Sequence, residues 1–435
     1  VNTAVKKQLI LRLARIQAFA VTLIVVLMPL HAFLSTWLGT VIGPLLVWKS
    51  WKELLMLAAA PLALWVMWLR PDIARTIWGR AVNKLIAAYM VLHFVLMLVG
   101  GVSAQAVIAG LMFNLRFFTI FILVQIIAEA YPASIAKLRA VAPSFLLWTA
   151  IVLGIVAILQ VAVIPKDFLA HFGYNKDTTI APYILVDQNP NALRAFATLR
   201  GPNALGAYLL LPVAVAVYRL LRNRRDTLAW AAGALGAVAV GLTGSRSAWL
   251  GALLTLIMVG LFVLPRARFM TWARRAVVPS ILLLIMVGWA AVNVPAIRLA
   301  VFHSSPGDSS LNEGSNDKHW QATARGIADV VRHPLGMGAG SAGPASFYNE
   351  SGSNVSENYY VQIAQEVGIL GLAFFVAICV LAIRYIVRRR LEVLPVALAA
   401  SFAGISLINI FLHGWADDPT ALTWWALAGL FVTKK

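Results

Sequence analysis

The sequence predicts an all-α, polytopic membrane protein of about twelve transmembrane helices, and three observations predict it. Of 435 residues, 61% are hydrophobic and 12% are charged, against about 45–50% and about 25% in an ordinary soluble domain. Soluble cores stop growing near about 250–300 residues, so the bilayer has to be the solvent for most of this chain. The apolar runs are long and unbroken rather than alternating, which argues against a β-barrel and for spanning helices. Basic residues gather in every second connecting segment, as cytoplasmic loops do. The lone cysteine, Cys379, lies in an apolar run and excludes a disulfide framework.

Runs of spanning length fall near 16–35, 52–69, 84–101, 107–128, 144–164, 204–220, 228–242, 247–264, 276–294, 359–383, 393–412 and 419–433. The first is one of many and has no small-residue cleavage site, so it reads as a span rather than a removable signal peptide. Segment 36–51, with Trp37 and Trp48, is either a short re-entrant or interfacial piece or a simple loop. The whole of 1–435 reads as one integral membrane domain, with a smaller outer loop at 165–203 and a large one at 295–358, between the ninth and tenth spans.

With the N-terminus inside and the spans alternating, the inner segments carry 24 basic residues against four acidic ones, and the rest of the chain 12 against 13. The formal charge of +19 is therefore almost wholly a topology signal. It supports both termini in the cytoplasm and removes most of the reason to expect a nucleic-acid partner. Membrane lipid is the partner that composition does require.

Loops as long and polar as 165–203 and 295–358 are usually functional. The second contains an amphipathic stretch, His319 to Arg332, with apolar residues at helical spacing and Pro334 as a stop. Ionisable groups at membrane depth are site candidates. Arg116 lies in the fourth span, roughly 13 Å below its outer end at 1.5 Å per residue, either paired within the bundle or facing a ligand. Arg200 and Asn203 stand at the start of the sixth span, where Asn203 reads as an N-cap. Arg246 lies in the turn before the eighth. Near a helix N-terminus such arginines form an anion site or reach lipid phosphate; three of them on one face favour a phosphate or pyrophosphate ligand, which the guanidinium fork suits. Arg325 and Arg332, seven residues apart, share a helical face. His333 opens a Gly-rich stretch to Gly340, either a loop or a set of exposed N–H groups. Glu357 precedes Asn358 and the tenth span, as an acidic cap or as a base; His319 and His333 are its rivals. No metal-ligand spacing, Walker motif or dinucleotide fingerprint occurs, so neither metal nor cofactor is expected.

At these residues the chain resembles the lipopolysaccharide O-antigen ligase and polysaccharide polymerase superfamily. The elements are Arg200-Gly-Pro-Asn203 with Gly206, Gly244-Ser-Arg246, the Arg325-to-Gly336 unit, and Gly368-x-x-Gly371. The resemblance implies a glycosyltransferase of the bacterial inner membrane with its site facing the periplasm. It would take a glycan from undecaprenyl pyrophosphate and pass it to a sugar hydroxyl, without nucleotide or metal. It implies a donor site of arginines, here Arg200, Arg246, Arg116, Arg325 and Arg332 with Asn203, and a loop base, here Glu357 beside Asn358, or His319. Ligases carry His, then Asn, Ser or Gln, nine residues, and Gly-x-x-Gly; here Glu357 stands at the His position before Asn358. Transfer to lipid A–core is the leading expectation and polymerisation of lipid-linked repeats the alternative. A lipid-linked-glycan transporter is the distant third, since its broken spans should recur in paired halves, and no such symmetry is visible.

Overall fold

The computed structural model describes residues 3–98, 101–186, 189, 192–271, 274–275, 282, 286, 289, 293–294, 315–350 and 352–432. Among these the chain is helical, and the only strand-like feature is a single bridge between Leu185 and Leu193. The helices are α1 (Thr3–Leu27), α2 (His31–Val41), α3 (Leu45–Leu69), α4 (Pro71–Gly79), α5 (Ala81–Leu96), α6 (Ala104–Ala130), α7 (Pro132–Ala162), α8 (Pro202–Arg222), α9 (Thr227–Leu242), α10 (Arg246–Val263), α11 (Ser315–Arg332), α12 (Tyr359–Val387), α13 (Val393–Ile408) and α14 (Asp418–Gly429). Seven runs among the described residues are long and apolar enough to cross a bilayer, and the pair α4–α5, bent by 83°, would make an eighth. The protein is thus a multi-pass membrane protein. The count of twelve is not established: α9 and α13 are shorter apolar helices of 16 residues and α14 has 12. The expected ninth span, 276–294, falls almost wholly outside the described residues, as do 295–314 of the large loop.

Proline and glycine set the boundaries. Pro71, Pro132 and Pro202 open α4, α7 and α8, where a missing N–H removes no helical bond. Pro29 lies in a tight turn that separates α1 from α2. Segment 36–51 is therefore no simple loop. It is the end of α2, a turn through Gly43 at φ +60° and extended Pro44, and the start of α3. Small residues bring helices close. Gly154 packs on Leu235, and Gly251 faces the Gly404 carbonyl, so that α10 lies against α13. Around Trp425 the rings of Phe118 and Phe121 stand edge-on at 4.9 and 5.3 Å, with Trp415 and Trp424 beside them.

The tenth expected span is not continuous. α12 breaks at Val367 and Gly368, where Gly368 has φ +72° and ψ 179°. The Gly-rich stretch from His333 docks into this break. Met337 N–H donates to the Gln365 carbonyl at 2.7 Å, Gly338 N–H to Glu366 at 3.0 Å, and Ile369 N–H to Pro334 at 3.0 Å. Below it, the Glu366 carboxylate accepts from Gly340 N–H at 2.8 Å and from Asn114 of α6 at 2.5 Å. The N–H groups of this stretch thus satisfy a break in a helix of spanning length, and unpaired backbone is costly in lipid. Gly336 and Gly368 face each other: a Cβ on Gly368 would lie 2.6 Å from the Pro334 oxygen. Gly368→Ala should therefore destabilise the protein by about 3 kcal/mol, from a conformation that non-glycine residues avoid plus a steric clash. The check is thermal unfolding of the detergent-solubilised protein against Gly79→Ala, where a Cβ meets nothing within 4 Å. Equal melting temperatures for the two variants would refute the role given to Gly368.

Candidate functional site

A cavity of about 550 Å³ opens where five distant segments meet, with Arg194, Asn203, Arg246, His319 and Glu357 in its wall. The turn before α10 supplies the first cation. Gly244 takes φ +58°, Ser245 caps α10 by accepting from Ala248 N–H at 3.4 Å, and Arg246 is the first helical residue. Its guanidinium therefore shares the cavity with the positive end of an 18-residue helix. The second cation is Arg194. Its Nε donates to the Thr243 carbonyl at 2.8 Å and its Nη2 to Asn203 Oδ1 at 3.0 Å. A Cβ on Gly244 would come within 3.4 Å of Arg194 Nε, so glycine there also makes room for the arginine. Arg194 was not singled out in the sequence because it stands in an irregular segment with no motif around it.

Asn203 is not the N-cap of α8; Gly201 is. Pro202 occupies the first helical position, which leaves Asn203 one step inside the helix, turned to hold Arg194. Asn358 is a true N-cap: its Oδ1 accepts from Tyr360 and Val361 N–H at 3.0 and 3.1 Å. Glu357, just before it, sits at φ +54°, a left-handed conformation unusual for a residue with a side chain. Strain of this kind is held where the surroundings over-determine it. Here it brings Glu357 Oε2 to 3.5 Å from Nδ1 of His319 on α11. Two groups read as rival bases are thus one pair.

The other expected residues lie apart from this pair. Arg200 is 54% exposed, and its Nε is 3.0 Å from Oδ1 of buried Asp417. Burial raises the Asp417 carboxyl above the ordinary range, against the pull of Arg200. His413, between α13 and α14, is pushed down to about 4 by burial, aided by the charges of Arg200 and His319, so it is neutral at pH 7. Arg116 is buried in the bundle. It pairs with Asp418, donates to Glu53 at 3.0 Å and to the Ala416 carbonyl at 2.7 Å. Asp418 also holds Lys52 at 2.8 Å and His31 Nε2 at 3.2 Å. Of the two readings open for Arg116, the paired one describes its surroundings, and it is not in the cavity wall. The charges of Lys52, Glu53 and Asp418 were missed; Lys-Glu and Asp-Asp doublets at the edges of apolar runs were the available signal. Arg325, Arg332 and His333 are exposed, and none of them lines the cavity. Among the described residues no three His, Cys, Asp or Glu side chains group to hold a metal ion.

The arrangement offers two guanidinium groups and a helix start for an anion, and an imidazole–carboxylate pair for a proton. Leu250, Trp320 and Phe411 supply apolar wall. No curated protein sequence matches the chain. A family model described as O-antigen ligase matches residues 231–376, 146 of the 435. The matched stretch contains the turn with Arg246, all of α11 with His319, Glu357, and the Gly336–Gly368 contact, and over it the chain is similar to the O-antigen ligase family.

Proposed function

We propose that this cavity transfers a glycan from undecaprenyl pyrophosphate to a sugar hydroxyl of lipid A–core, on the periplasmic face of the inner membrane. The observation that carries the reading is the meeting of Arg194 and Arg246 with the His319–Glu357 pair in one cavity. Arg194 and Arg246 hold the pyrophosphate. As the bond between the anomeric carbon and the phosphate oxygen breaks, its electron pair passes to the pyrophosphate, whose growing charge the guanidinium groups stabilise. The acceptor oxygen bonds to the anomeric carbon from the opposite side and gives its proton to His319. His319 takes the base role because Glu357 Oε2 lies 3.5 Å from its Nδ1, which leaves the other ring nitrogen to accept the proton. Glu357 orients the ring through Nδ1 and steadies the imidazolium. Neither nucleotide nor metal takes part in this scheme.

One observation favours polymerisation of lipid-linked repeats instead: the position where ligases carry His is Glu357. Lipopolysaccharide from a deletion strain separates the two. Loss of a ligase leaves bare core while polymer accumulates on the lipid carrier. Core capped with a single repeat would transfer the assignment to a polymerase, and unchanged lipopolysaccharide would remove both.

A further inference from the structure

α11 has three faces, and among the described residues one of them is used for packing. Gly326 lies against Ser356 and Val361, Thr323 donates to the Ser356 carbonyl at 2.8 Å, and Asp329 accepts from Gln365 at 2.9 Å. A second face is apolar and open. Trp320, Ile327 and Val331 are 75%, 51% and 74% exposed, and Leu335 just beyond the helix is 78% exposed. At about 100° per residue, Trp320, Ala324, Ile327 and Val331 fall within about 60° of arc. The third face carries Arg325 and Arg332, roughly a third of a turn away.

The packing sets this stripe beside a helix of spanning length. α11 runs beside the first turns of α12, a helix long and apolar enough to span the bilayer. Its C-terminal end is tied by Pro334 to Ile369, just past the break in α12. There Ile369 and Leu370 are themselves exposed. Leu335 thus continues the outward apolar surface of a spanning helix, and the stripe carries that surface on to Trp320 at the cavity wall.

We propose that α11 is a membrane-surface helix, with its apolar stripe in the boundary between headgroups and acyl chains of the leaflet at the cavity mouth. Arg325 and Arg332 meet lipid phosphates from the adjoining face. An amphipathic helix with aromatic and aliphatic residues on one side and arginines beside them binds an interface in this way. The cavity then opens at headgroup level, and a lipid-borne reactant enters it sideways without leaving the bilayer.

The test uses the full chain in nanodiscs of phosphatidylethanolamine and phosphatidylglycerol, with Cys379→Ala to remove the native thiol. An environment-sensitive fluorophore is attached at Val331→Cys, at Ile327→Cys, and at Asp177→Cys in an exposed outer loop. Lipids with a nitroxide high on the acyl chain should quench the probes at 327 and 331 and spare the one at 177. Aqueous iodide should quench 327 and 331 roughly fivefold less than 177. Equal iodide quenching at all three positions overturns the proposal. So does protection of 327 and 331 from both quenchers, which would mean that protein covers the stripe. The readout needs no turnover, so it stands apart from the assignment of the reaction.

Discussion

Arg246→Ala is expected to lower transfer from a lipid-linked donor by roughly 10²–10³-fold, the loss seen when one preorganised donor to a developing oxyanion is removed. Arg246 stands in the cavity wall at the first position of α10, whereas Arg116 binds three partners inside the bundle; elution of Arg246→Ala against the parent checks that the variant is folded. Arg246→Lys should recover little, because an ammonium cannot reproduce the two-pronged contact of a guanidinium with phosphate oxygens. Arg194→Ala should fall as far in turnover but with some loss of stability, since it also releases Thr243 and Asn203. Initial rates at limiting donor decide the matter. Parent-like turnover by Arg246→Ala would remove it from the donor site. The same result for both variants would move the anion site out of this cavity.

The second large effect concerns the proton. His319→Ala should cut turnover by roughly 10³-fold and Glu357→Gln by roughly 10²-fold, within the range for general-base catalysis. Gln keeps the size of Glu357 while removing the charge that steadies a protonated imidazole. If the two residues act as one unit, their losses will not add, and the double variant should be little worse than His319→Ala alone. Donor binding should persist in all three. A Glu357→Gln variant slower than His319→Ala would reverse the roles and make Glu357 the base. Full activity in both would mean that the proton leaves elsewhere.

Much of this arrangement was legible in the sequence because its physics is local. Length of apolar run and placement of Arg and Lys respond to the bilayer, residue by residue, so helices occupy most of the expected spans. α11 was readable from its periodicity and from Pro334. Arg246, His319, Glu357, Asn358 and Asn203 were named from chain order and a shared membrane face, and the cavity brings them together. What was not legible depends on partners far away in the chain. Val367-Gly368 in an apolar run reads as uninterrupted helix; only the docking of 334–338 makes a break affordable there. Arg116 has the same local sequence whether it binds a ligand or Asp418. Arg194 gains meaning only from Thr243 and Asn203, which lie 49 and nine positions away.

The break in α12 also decides what can be exchanged between proteins of this kind. Its backbone is completed by a strip of chain from another segment, so the two halves of the helix and the strip 333–340 are one unit of construction. A chimera cut at the visible ends of helices would pair a foreign strip with a resident break. Carbonyls and N–H groups would then face hydrocarbon without partners. Grafts that carry 333–371 whole keep the donor's own match between strip and break. Substrate preference, if it resides in α11 and the turns beside it, could then be transplanted around this unit rather than through it.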